Sequence, residues 1–217
     1  MADIIHITSL ALVDAVNPCT LTVQALLLSA LLITKGRKNA LLGGVFFFGT
    51  IYFMYLLYGL GILQVLYTLG IENILRIVLK VLLGIMIIME FYAVLSYKPG
   101  FRSLEMPLKF RPYAKKLLAS VENPYTAIPV AALCSILLLP CSSGPYLSAL
   151  MLLAQSSLEK LAILLYYNFI FILPMIAITL IVAFGTSPKK ILDWKERHIK
   201  KLHLIAGLLL LGVFLTV

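Results

Sequence analysis

Charge is scarce in this chain. Only 12% of its 217 residues are Asp, Glu, Lys or Arg, against about a quarter in an average soluble domain, so a body with a solvated surface all round is not expected. Histidine is scarce as well: His6, His198 and His203 lie far apart and read as interfacial polar residues, not as metal ligands. Cysteine numbers three, Cys19, Cys134 and Cys141, all inside apolar runs, which excludes a secreted disulfide framework. No Gly-x-Gly-x-x-Gly fingerprint and no Cys-rich ligand set occurs, so no bound cofactor or metal is expected. The opening MADIIHITSL has an acid and no Lys or Arg, which argues against a cleaved signal peptide.

Apolar residues fill the rest. They make up 62% of the chain, with a mean hydropathy of +1.04. Six apolar runs, about 7–34, 40–66, 73–97, 126–154, 158–184 and 202–217, have the length of tilted membrane-spanning helices. The reading is an all-α polytopic membrane protein in a lipid bilayer. Fifteen of the eighteen basic residues fall after spans one, three and five: Lys35, Arg37, Lys38; Lys98 to Lys116; Lys189 to Lys201. The positive-inside rule then puts both termini outside and these three loops in the cytoplasm. Topology thereby accounts for most of the +9 net charge without nucleic acid as a partner. In the long connection 98–125, the KKLLASVE stretch reads as a short amphipathic helix on the membrane.

Pro-Cys occurs twice, as Pro18-Cys19 in span one and Pro140-Cys141 in span four, and each pair opens the second half of its span. Aligning the copies sets Thr20 against Ser142 and Leu28 against Leu150. A three-span repeat has an odd count, so its second copy inserts upside down. The predicted plan is two inverted three-helix repeats, 1–97 and 126–217, joined by the cytoplasmic basic connection 98–125, with the first and fourth helices broken near the midplane. At 1.5 Å per residue both thiols fall in the central third of a core ~30 Å thick.

In Asn17-Pro18-Cys19-Thr20, Asn suits the N-cap and Pro the first helical position, so the helix restarts inside the membrane. The positive end of such a helix stabilises an anion such as a thiolate. The second copy, Leu139-Pro140-Cys141-Ser142-Ser143-Gly144-Pro145, predicts a longer unwound stretch, with Ser143 or Gly144 capping a half-helix that begins at Pro145. Irregular backbone at that depth must be buried in protein or line a wet cavity. Cys134 reads as a small buried hydrophobe.

Six spans, Pro-Cys in the first and fourth, and Pro-Cys-x-x-x-Pro in the fourth resemble the CcdA family of cytochrome c biogenesis proteins and the transmembrane domain of the disulfide reductase DsbD. The resemblance implies a prokaryotic inner-membrane electron carrier. Such a protein takes two electrons from cytoplasmic thioredoxin by thiol–disulfide exchange and passes them to an extracytoplasmic thioredoxin-like protein. It implies that Cys19 and Cys141 are the redox pair. The family commonly places another proline soon after the first cysteine. This chain continues Thr20-Leu21-Thr22-Val23-Gln24, so the first break is expected to be the tighter.

A thioredoxin cannot push its active site ~15 Å into lipid, so the pair must face one side and then the other. Gly43, Gly44, Gly49, Gly59, Gly61 and Gly84 are candidates for close sliding contacts, and Pro129 and Pro174 for kinks. Asp14, one turn before Pro18, is a candidate proton relay, or else a carboxylate that snorkels outward. Glu90 reads as a solvated carboxylate at an inner helix end, and Lys80 as facing protein or water. The alternative function is transport of a soft metal ion on Pro-Cys thiolates.

Overall fold

In the computed structural model, residues 2–69, 72–96, 111–155 and 159–216 are described. The basic stretch 97–110 and the side chains of Pro18, Pro140 and Cys141 lie outside the described set. Among the described residues there is no strand. The elements are α1 (Ala2–Ala15), α2 (Pro18–Leu69), α3 (Glu72–Leu95), α4 (Arg111–Ala119), a 3₁₀ turn (Pro124–Thr126), α5 (Ala127–Gln155), α6 (Lys160–Ala183) and α7 (Pro188–Thr216). Four of these helices are long and apolar enough to cross a membrane, or five if α5, which is bent, counts as one span. That is the make-up of a multi-pass membrane protein.

Three breaks shape the bundle. The first is the pair Val16 and Asn17 between α1 and α2. The second lies inside α2, whose 52 residues would reach ~78 Å if straight, more than twice a bilayer core. Gly36 interrupts it at φ 78° and ψ −178°, a conformation essentially reserved for glycine, and so divides it into arms 18–35 and 37–69. The third bends α5 by 81° between Leu139 and Ser142. Proline there removes an N–H and crowds the carbonyl one turn back.

Two sequence expectations change at these elements. The half-helix after Pro140-Cys141 runs from Ser142, not Pro145. Pro145 then stands fourth, where its missing N–H would have no intrahelical partner in any case. The last helix, expected over 202–217, begins at Pro188. Pro188 suits a first helical position, and exposed Lys189, Lys190, Arg197, Lys200 and Lys201 form a solvated first half rather than a loop. Pro129, a candidate kink, sits in the first turn of α5, where proline is tolerated, whereas Pro174 lies inside α6.

The helices of the two chain halves pack mostly on each other. α1 lies on α5, α6 and α7; α2 on α5 and α6; α3 on α7 and α5. The second arm of α2 runs antiparallel to α6: Gly44 faces Thr179, and Gly59 faces Leu164 near the opposite end. α4 packs on α2 and α5 through buried Ala114 and Leu118 while Tyr113 and Lys116 stay exposed, an amphipathic helix that covers the KKLLA part of the expected KKLLASVE stretch and ends at Ala119. Three connections gather at one end of the bundle, since Arg37 lies against Gly185 and Gly43 against Pro124.

α3 and α7 are joined by a buried polar contact. His203 Nδ1 lies 2.7 Å from Glu90 Oε2, with the two side chains 2% and 3% exposed. This corrects the solvated reading of Glu90 and the interfacial reading of His203. A carboxylate facing lipid or apolar protein requires a partner, and α7 supplies one. Lys80, by contrast, is exposed.

Candidate functional site

The first break is a capped helix start. Asn17 Oδ1 accepts the Cys19 N–H at 3.0 Å, and Thr20 Oγ1 donates to the Asn17 carbonyl at 2.8 Å. Asn17, Cys19 and Thr20 are all buried. Cys19 is therefore the second residue of its half-helix, among N–H groups that the helix itself cannot satisfy.

Asp14 joins this break to the second. It lies in the last turn of α1, is fully buried, and accepts a hydrogen bond from Tyr167 of α6 at 3.2 Å. Ser142, the residue after Cys141, lies near the same carboxylate without a hydrogen bond to it. The bent helix α5 thus meets the end of α1 where both chain breaks occur. Tyr146, one turn beyond Ser142, packs its ring on Tyr167 with centroids 5.4 Å apart and lies next to Asn168. Asp14 Oδ1, Ser142 Oγ and both amide atoms of Asn168 are buried without a hydrogen-bond partner among the described residues. Each such group costs about 1–3 kcal/mol in a dry interior. These groups lie close to the two breaks in the chain. Tyr167, Tyr146 and Asn168 had no motif to announce them, because a Tyr or Asn inside an apolar run reads as ordinary core.

The remaining predicted site residues divide clearly. Gly144 and Pro145 are buried and Ser143 is half-buried. Gly144 gives passage to α3, since a Cβ there would stand 2.6 Å from Met86 Sδ. Where the side chains of Pro18, Pro140 and Cys141 lie is outside the described residues. Cys134 is 1% exposed, and Cys19 is 7% exposed. Of the candidate sliding glycines, Gly43, Gly44 and Gly59 are in close contact with neighbours, whereas Gly49, Gly61 and Gly84 face open space.

Beside the first break opens a cavity of about 490 Å³. Val16 and Leu21, flanking the Cys19 turn, line it together with Pro174, Ile181, Lys190 and Trp194. Its wall is almost wholly apolar, with Lys190 as its single charge. Nearby, Lys195 of α7 donates to Thr22 Oγ1 of α2 at 3.0 Å.

Comparison with family models, curated proteins and solved structures finds no match. The site is therefore read from its own geometry.

Proposed function

We propose that this chain is a transmembrane electron carrier of the CcdA kind, moving two reducing equivalents by thiol–disulfide exchange at a Cys19/Cys141 pair. The observation that carries the reading is the meeting of the two breaks: α1, which ends just before Asn17-Pro18-Cys19 with Asp14 in its last turn, packs on α5, and Asp14 lies near Ser142, the residue after Pro140-Cys141. A chain that only filled the membrane would have no use for two broken helices brought together around a buried carboxylate, since irregular backbone and orphaned polar groups are costly at that depth.

In this reading the two arms of α2 are separate crossings, which with α1 completed by the first arm gives six spans. The packing supports an inverted repeat. α1 on α6 has its counterpart in α5 on α2, and α1 on α7 in α5 on α3. The three connections gathered at one end are the cytoplasmic ones, with both termini outside, as in a prokaryotic inner membrane. The apolar cavity then runs from the cytoplasmic ends of α6 and α7 to the residues flanking Cys19.

The chemistry needs no bound group. The thiolate of reduced thioredoxin attacks one sulfur of the Cys19–Cys141 disulfide, and the other sulfur leaves as thiolate. Thioredoxin's second thiol then attacks the mixed disulfide, so thioredoxin is oxidised and the pair becomes a dithiol. On the outer side the dithiol reduces a thioredoxin-like partner by the same two displacements, with cytochrome c maturation as the process served. Asp14 holds and returns the proton that each leaving sulfur takes up, with Tyr167 positioning its carboxyl. The protein is a carrier whose activity is that of a thiol–disulfide oxidoreductase. The test is differential alkylation in membranes after oxidation and after reduction. Mutual protection of Cys19 and Cys141, reversed by reduced thioredoxin and lost in either Cys→Ser variant, is the expected result. Thiols that never protect each other would sink the proposal and return soft-metal binding as the better use of two buried cysteines.

A further inference from the structure

The two half-helices that follow the cysteines are each anchored by one side chain at the same register. Gln24 stands five residues after Cys19, and Tyr146 five residues after Cys141. Gln24 Nε2 donates to Thr179 Oγ1 at 2.7 Å, and Thr179 passes the bond on to the Met175 carbonyl at 2.8 Å. The Tyr146 hydroxyl donates to the Tyr55 carbonyl. In each case the partner lies on the middle helix of the opposite half: Thr179 on α6, Tyr55 on the second arm of α2. All four residues are buried to 1% exposure or less.

Both bonds use a glycine notch on the same helix. A Cβ at Gly44 would stand 2.5 Å from Thr179 Cγ2, and one at Gly59 would collide with the Tyr146 hydroxyl. Fifteen residues separate the notches, about 22 Å along the second arm of α2, so they occupy opposite membrane leaflets. Under the orientation proposed above, on which this inference rests, the Gln24 bond lies on the cytoplasmic side of the cysteines and the Tyr146 bond on the outer side.

We infer that Gln24–Thr179 and Tyr146–Tyr55 are two latches that select which side of the membrane reaches the cysteine pair. Each holds its half-helix against the opposite half, and opening one face requires breaking one of them. Both latches are closed in this structure. Gln24, Thr179 and Tyr146 are positioning residues, since none needs to touch a reacting sulfur.

The experiment labels the cysteines of the reduced protein with a membrane-impermeant maleimide in right-side-out and inside-out vesicles. Tyr146→Phe removes only a hydroxyl, and Thr179→Val keeps the shape of the side chain. The expected result is opposite shifts: Tyr146→Phe raises outer-face labelling about fivefold, Thr179→Val raises cytoplasmic labelling about fivefold, each the scale of one hydrogen bond. Gly59→Ala and Gly44→Ala, whose added Cβ crowds Tyr146 and Thr179 from the notch side, reproduce the respective shifts without replacing any bonded residue, and Thr179→Ser retains the wild-type ratio. A merely structural role would lower stability and expose both faces equally, and that result, or unchanged labelling in both variants, overturns the inference. The readout does not require the disulfide. If Cys19 and Cys141 never pair, the electron-carrier reading falls while the sidedness of labelling still decides the latches.

Discussion

Removing either member of the Glu90–His203 pair should destabilise the bundle more than any other single uncharging within it. The two side chains are 2% and 3% exposed and 2.7 Å apart, in the distance range of a charge-assisted hydrogen bond, and they join the third helix to the last. Glu90→Gln or His203→Gln alone leaves the other group buried without its charge partner, a loss of about 3–5 kcal/mol. The double variant should lose far less than the sum, giving a coupling energy of at least ~2 kcal/mol. Neutral hydrogen bonds between membrane helices couple by only ~0.6 kcal/mol on average, so the size of the coupling separates an ion pair from a polar contact. Replacing both residues with apolar side chains of similar volume, Glu90→Met with His203→Phe, should be neutral or stabilising. The assay is reversible unfolding in mixed detergent. It can be followed by the fluorescence of Trp194, the only tryptophan, which lies on the same helix as His203. A coupling at or below ~0.6 kcal/mol would refute the buried ion pair and leave His203 as a neutral donor.

Three further outcomes follow from the site and its supports. Asn17→Ala removes the acceptor of the Cys19 N–H, so stability should fall by about 1 kcal/mol, and hydrogen exchange at the Cys19 amide should accelerate; unchanged exchange would show that the cap is not what starts this helix. Asp14→Asn keeps the side-chain volume and, if Asp14 is the proton carrier, should slow reduction by thioredoxin about a hundredfold in rapid-mixing experiments; a rate within about threefold of wild type would remove Asp14 from the mechanism. Gly36→Ala forces a Cβ into a glycine-only conformation at an exposed turn with open space around it, so the ~1–3 kcal/mol loss expected in detergent unfolding is pure backbone strain; no loss would mean the two arms of α2 are joined differently.

The linear chain determined the class of this protein and the places where its helices break. Runs of apolar residues with charge confined to their ends leave helices in lipid as the only economical structure, because every backbone group must be satisfied within its own segment. Proline marks breaks by local chemistry alone, so Asn17-Pro18 and Pro140 were legible as a helix start and a bend, and Gly36 lies in the predicted turn after Lys35. The pairing of Glu90 with His203 was not legible. Neither were the convergence of Tyr167 and Ser142 on Asp14 and the register of Gln24 and Tyr146 on opposite helices. The same polar residue in an apolar run can face lipid, water or a partner more than a hundred residues away, and only the packing of one half of the chain on the other chooses among them. Sequence therefore fixes where the backbone can bend, by interactions within a few residues. Tertiary structure decides which buried polar groups meet, because burial makes their partners obligatory without specifying who they are.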